Sequence, residues 1–234
     1  MRKNTGKEFA LGARAALPVV LSFVPVGIAY GLMAVAAGFA PAETVFMSLA
    51  VYAGASQMMW TGMFAQGAGI AAIILATFVL NLRHLIMSTC VINRIKNEKM
   101  GRKLLCAFGI TDETFAIFTT AEEERANIPF FLGLAIVSYL SWVSGSAIGA
   151  FASDFLPDVL TASFGVAMYA MFVGLIVPDL KGRGSLALVV AMAAALSCAF
   201  SLFMDQSWAT VCATVAAAFA GVFFVDLEGK EKME

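Results

Sequence analysis

The chain has 234 residues, of which 61% are hydrophobic and only 13% charged, whereas a soluble domain carries about one quarter charged residues. No water-surrounded core could bury so much apolar surface. A formal net charge of -1 also gives no electrostatic ground for binding nucleic acid or a strongly anionic partner.

The remaining class is a chain solvated by lipid. Its apolar stretches of about twenty residues match helices crossing a hydrocarbon core about 30 Å thick, and the period-two alternation of barrel strands is absent. The expected fold is an all-α polytopic membrane protein, a single transmembrane domain over residues 1–234. Apolar blocks fall at 15–38, 43–65, 67–92, 104–121, 128–152, 158–180, 184–204 and 207–227, which predicts seven or eight membrane segments.

The first block follows a basic stretch (Arg2, Lys3, Lys7, Arg14) with no small-residue cleavage site, so it is read as a span and not as a removed leader. It holds Pro18 and Pro25, then Gly27 and Gly31, and is expected to kink or break near its middle. A break there would free carbonyls at Pro25 for a substrate ammonium group. The alternative is close helix packing through a face of small residues.

In the second block, Tyr52-Ala53-Gly54-Ala55-Ser56-Gln57 brings small residues, a hydroxyl and an amide to membrane depth. Gln57 must face protein or water, because an unpaired amide in lipid costs several kcal/mol. A break at Gly54 would turn helix-end amides toward a carboxylate, and interhelical hydrogen bonding is the other reading. Neighbouring Met58, Met59 and Trp60 could line an apolar pocket.

The third block ends in Asn81-Leu82-Arg83-His84. If the helix continues to Ile95, Arg83 lies more than about 15 Å from its end and needs a partner; if it stops near Asn81, Arg83 sits at the interface. His84 is the single histidine, which leaves a metal site without company and allows either a hydrogen-bonded structural role or a proton-coupling one. The fourth block carries Asp112 and Glu113 near its middle, and either could neutralise Arg83. Adjacent helical positions point about 100° apart, so the two carboxylates face different neighbours. This block is short enough to span or to enter and return. Tyr139, Ser141, Trp142 and Ser144 in the fifth block read as interface and packing residues, and Cys90, Cys106, Cys198 and Cys212 as small apolar residues without metal-ligand spacing.

The basic loop around Arg94, Lys96, Lys99, Arg102 and Lys103 is expected in the cytoplasm, as are Lys181 and Arg183. Three spans before that loop would put the basic N-terminus outside, against the same rule, unless block 43–65 fails to cross. Gly27 and Gly31 before Pro41 resemble Gly145 and Gly149 before Pro157, a shift of about 117 residues that suggests repeat units over 15–121 and 128–227 in inverted orientation.

The proline-bearing opening from Leu17 and Pro18 to Gly31, the stretch from Tyr52 to Gln57, Asn81-Leu82-Arg83-His84, and Thr111-Asp112-Glu113 resemble the large subunit of the two-component branched-chain amino-acid exporters, the azaleucine-resistance (AzlC-like) family. The likeness is densest over residues 9–120. It implies export of leucine, isoleucine, valine and methionine across the cytoplasmic (inner) membrane by a proton-coupled secondary transporter. It also implies a small hydrophobic AzlD-like partner subunit; no enzymatic activity, no cofactor and no metal are expected. On this reading Pro25, Gly27, Tyr52, Gly54, Ala55, Ser56 and Gln57 are candidates for substrate binding, and Asn81, Arg83, His84, Asp112 and Glu113 for coupling or ion pairing. The rivals are a passive channel, which would want a repeated pore ring, and an intramembrane serine protease, which would need Ser56 to meet His84.

Overall fold

A computed structural model describes residues 5–95, 99–153, 173, 177, 180, 184–204 and 206–224. The described secondary structure is helical: α1 (Thr5–Ala15), α2 (Leu17–Ala36), α3 (Pro41–Val51), α4 (Gly54–Ala65), α5 (Ile70–Asn81), α6 (Arg83–Arg94), α7 (Met100–Phe108), α8 (Asp112–Thr120), α9 (Ile128–Ala152), α10 (Gly184–Phe200) and α11 (Gln206–Phe224). Three stretches are long and apolar enough to cross a membrane: Leu17–Ala36, Ile70–Arg94 and Ile128–Ala152. The expected block at 158–180 and the loop with Lys181 and Arg183 lie almost wholly outside the described residues.

The chain divides into two compact units, Met1–Ala65 with Thr77–Met168, and Gln66–Ala76 with Tyr169–Glu234. In the second unit α10 and α11 pack as a pair, with Gly221 set against Val189. The candidate binding and coupling residues lie in the first.

That unit is built on a seam between α1–α2 and α9. A Cβ on Gly31 would stand 2.4 Å from the carbonyl oxygen of Ser146, and one on Gly149 would stand 2.1 Å from that of Ile28. Gly12 against Phe130, Gly133 against Phe9, and Gly27 against Gly145 continue the series. Small residues let the two backbones touch, and dispersion contacts replace the hydrophobic drive that lipid does not supply. Because the paired numbers rise together, α2 and α9 run in the same direction. The glycine motifs expected to belong to inverted units are therefore parallel and face each other.

The expected break in the first block is absent, and α2 is continuous through Pro25. Pro18 sits in the first turn, where no amide hydrogen is needed. Pro25 forfeits only the bond to the carbonyl four residues back, while the turns around it are held on α9.

The second block does break. Helix α3 ends at Val51, Tyr52 takes the left-handed conformation (φ 43°, ψ 49°), and α4 starts at Gly54. The chain then doubles back. Gln57 bonds to Ser48, and Phe39 packs on Trp60 and Phe64, at ring centroids 4.9 and 4.8 Å away, so the end of α4 returns to the start of α3. The fourth block behaves alike. Helix α7 stops at Phe108, Gly109 to Thr111 form the bend, and Arg94, at the end of α6, donates to the carbonyls of Thr119 and Ala121. Residue 121 thus lies beside residue 94, and 104–121 enters and returns instead of crossing.

Two hairpins of half-membrane depth therefore flank the seam, α3–α4 based at the C-terminal end of α2 and α7–α8 based at the N-terminal end of α9. As α2 and α9 are parallel, those bases lie at opposite ends of the unit. Each hairpin leads into a 25-residue span, Ile70–Arg94 or Ile128–Ala152. The unit of hairpin and span thus occurs twice in opposite orientation, with α4 and α8 starting at positions 54 and 112 and the spans at 70 and 128. With 41–65 turned back on itself, the N-terminal segment and the loop after α6 fall at the same end of the unit, as the positive-inside rule asks of two basic segments.

Candidate functional site

The tips of the two hairpins meet. Tyr52 at the first tip lies with ring centroids 6.1 Å from Phe108 at the second, and both pack edge-on or tilted against Tyr139 of α9 at 5.0 and 5.7 Å. The Tyr52 hydroxyl is buried without a hydrogen-bond partner. A tyrosine held at positive φ carries about 1 kcal/mol or more of backbone strain, here spent on the reversal that puts this hydroxyl at the junction.

Local chemistry shapes each tip. At the first, Gly54 lies under the Trp142 indole, where a Cβ would come within 2.7 Å of a ring carbon. At the second, Gly109 packs on Ala135, and Thr111 caps α8: its hydroxyl accepts from the Thr114 amide at 3.3 Å while the Thr111 amide donates to Thr114 Oγ1 at 2.8 Å. The Thr114 hydroxyl in turn donates to the Gly109 carbonyl at 3.0 Å. The reciprocal cap fixes where α8 starts, and so fixes Asp112 and Glu113 in its first turn.

The span between the hairpins supplies the third element. Its hydrogen-bond ladder is interrupted at Leu82, where Leu85 N–H reaches back to the carbonyl of residue 82, but helical dihedrals persist and the segment continues to Arg94. Arg83 therefore sits about 16 Å from the end at Arg94, far from the interface. It donates from Nη1 to Asp112 Oδ2 at 2.5 Å. The two side chains remain 38% and 49% exposed, and at this depth such openness requires water or further protein around the pair. Asn81 donates to Ser56 Oγ at 3.2 Å, tying the span to the first tip. Asn81 Oδ1, Arg83 Nε and His84 Nδ1 are buried without a partner, so the junction holds several unspent donors and acceptors.

Gln57 is placed differently. Trp142 Nε1 donates to Gln57 Oε1 (3.0 Å), Gln57 Nε2 to Ser48 Oγ (3.2 Å), Ser48 Oγ to Ser146 Oγ (2.8 Å), and Ser146 Oγ to the Trp142 carbonyl (2.9 Å). This circuit closes on Trp142, and all four side chains are buried. It joins α3, α4 and α9, and Tyr30, stacked on Trp142 at 5.9 Å, covers it. Sequence reasoning read Trp142 and Tyr139 as packing residues only; their distance in sequence from the hairpins hid this part.

Of the residues singled out from the sequence, Tyr52, Ser56, Asn81, Arg83, Asp112 and Glu113 are thus gathered at the tips, and His84 adjoins Arg83. Gly54 and Ala55 open α4. Pro25 is exposed on α2, and Gly27 belongs to the seam. Ser56 donates to the Ala53 carbonyl and accepts from Asn81, so it does not form the pair with His84 that a serine protease would need. Among the described residues no group of His, Cys, Asp and Glu could hold a metal ion.

The AzlC protein family matches residues 18–156, the segment from α2 through α9 that contains both hairpins. The chain is 34% identical to the inner membrane protein YgaZ of Escherichia coli, over 81% of this chain and 80% of that one. It is 36% identical to a membrane protein of Archaeoglobus fulgidus, over 95% and 96%. The branched-chain amino acid transport protein AzlC of Bacillus subtilis is 28% identical over 63% and 61%. No solved structure matches. The chain belongs to the AzlC family and is a polytopic inner-membrane protein with a role in transport.

Proposed function

We propose that this AzlC-family protein exports leucine, isoleucine, valine and methionine as the large subunit of a proton-coupled secondary transporter with a small hydrophobic partner. The observation that carries the reading is the meeting, against α9 and beside its seam with α2, of two half-depth hairpins of opposite entry around an open ion pair. Such an arrangement suits a solute site reached from either face in turn. The name of the Bacillus subtilis relative supports the substrate class.

A zwitterion with an aliphatic side chain needs a carboxylate site, an ammonium site and an apolar wall. Arg83, with a spare Nε, and the first amides of α4 at Gly54, Ala55 and Ser56 suit the carboxylate. Tyr52, Phe108 and Tyr139 suit the side chain. Gln57 acts by holding the first tip on α9. Alternating access fits two hairpins better than the passive channel, because each closes one side.

The test is counterflow. Proteoliposomes containing the chain and its partner, loaded with leucine, should take up labelled leucine against its gradient. Uptake that only equilibrates would identify a channel, and no leucine flux at all would overturn the substrate class.

A further inference from the structure

A zwitterionic solute needs a place for its ammonium group, and the break near Pro25 that was expected to provide one is absent. The acceptors at the tip junction are not equally available. Asn81 Oδ1 is enclosed, while Nδ2 of the same amide is tied to Ser56 at 3.2 Å. Asp112 is open. Its side chain is 49% exposed, and the one side-chain hydrogen bond it makes among the described residues is that accepted by Oδ2 from Arg83 Nη1 at 2.5 Å.

That contact is single. A guanidinium and a carboxylate can meet through two parallel bonds, and a pair serving only to brace the fold at membrane depth would close both, because each open donor or acceptor costs free energy there. Here Asp112 keeps Oδ1 unbonded, and Arg83 keeps an Nε without a partner. A free acceptor on the anion beside a free donor on the cation is the complement of an amino-acid head group, whose ammonium donates and whose carboxylate accepts. The four charges then alternate in sign, and no net charge is carried to membrane depth; an amine or an acid of the same shape would bring one. Phe108 closes α7 and Asp112 opens α8, on either side of the bend at Gly109 to Thr111. The acid thus shares its tip with the ring that packs on Tyr52 and Tyr139, an apolar wall for the rest of the molecule.

We propose that Asp112 receives the ammonium group of the transported amino acid through its free oxygen, while Arg83, still bonded to Asp112, takes the carboxylate. The assignment rests on the amino-acid transport reading and supplies the ammonium site that reading left open. The ion pair is then a receptor for the zwitterion, and each of its members recognises one end of the head group.

The experiment is leucine counterflow by the chain with its partner, at equal pH on both sides and with no membrane potential, so that coupling to protons cannot limit the flux. Two competitors are used, isoamylamine (ammonium without carboxylate) and 4-methylpentanoate (carboxylate without ammonium), and both should inhibit the wild type more weakly than unlabelled leucine does. Asp112→Asn should raise the half-saturating leucine concentration about tenfold or more and abolish inhibition by isoamylamine, while 4-methylpentanoate inhibits at least as well as before because Arg83 is released. Arg83→Gln should do the reverse, sparing the amine and losing the acid. Asp112→Glu, which keeps the charge, should retain inhibition by isoamylamine, and it keeps the test available if Asp112→Asn does not fold. Three outcomes would overturn the assignment: a wild type insensitive to isoamylamine, wild-type half-saturation and amine inhibition in Asp112→Asn, or an equal loss of both competitors in Asp112→Asn and Arg83→Gln, which would make the pair a brace. Loss of amine inhibition alone in Asp112→Glu would overturn it too. Absence of leucine counterflow by the wild type would instead sink the transport reading on which it rests.

Discussion

Gln57 donates to Ser48, nine positions earlier, across 3.2 Å, although a continuous helix would separate their backbones by about 13.5 Å. The bond exists because the chain reverses at Tyr52, and it belongs to a circuit with no loose end inside the unit. Opening the circuit at one point should therefore strand its neighbours. Gln57→Leu leaves Trp142 Nε1 without an acceptor and should lower stability by about 1–3 kcal/mol, with Trp142→Phe showing a smaller loss. Thermal unfolding of the purified protein measures both, and unchanged unfolding in Gln57→Leu would mean that water completes the circuit.

The two hairpins make opposite demands on labelling. In a background free of the native cysteines, single cysteines at Ala40 and Ala65, both exposed at the base of the first hairpin, should react with a membrane-impermeant maleimide added outside intact cells. Cysteines at Gly101 and Glu122, exposed at the base of the second, should react only after permeabilisation. Labelling of positions 101 and 122 from opposite sides would show that the second hairpin crosses.

The seam tolerates no enlargement. A Cβ at Gly149 would lie 2.1 Å from a backbone oxygen of α2, and one at Gly31 2.4 Å from a backbone oxygen of α9; neither backbone can yield without moving its helix. Gly31→Ala and Gly149→Ala should each cost more than about 2 kcal/mol and reduce the folded yield in membranes. Gly101→Ala, with open space around the added methyl group, serves as the control and should behave as the wild type.

The Arg83–Asp112 pair should matter more to transport than to folding. Because both groups are partly exposed, removing either should change stability by no more than about 1 kcal/mol. Arg83→Ala and Asp112→Ala should nevertheless each lower leucine flux about tenfold or more, and the exchange of the two residues should restore part of it. A large fall in melting temperature in the single variants, matching the loss of flux, would assign the pair to the scaffold.

The membrane class and most helix positions were legible because a helix in lipid must be both apolar and about twenty residues long, and the blocks at 15–38 and 128–152 satisfy both. The break at Gly54 was legible as one of two readings from small and polar residues at depth, and the return of 104–121 as one of two readings from its shortness and its two acids. Whether a broken block crosses was not, since α3–α4 and a straight span have the same length and composition; only contacts such as Phe39 with Phe64 reveal the reversal. The proline at position 25 does not end its helix, because packing on α9 outweighs one missing hydrogen bond. Gln57 showed itself as needing a partner, but its partners stand 85 positions away on α9, beyond the reach of local pattern.

Hairpins that stop halfway have an electrical consequence. Where water follows each hairpin to its tip, the insulating layer is only as thick as the contact between Tyr52 and Phe108, and the transmembrane voltage falls across that short distance. Displacing one unit charge through the whole drop corresponds to about 2.3 kcal/mol per 100 mV. Arg83, Asp112 and Glu113 would then lie within the steepest part of the field, where a small displacement of a charged tip moves gating charge.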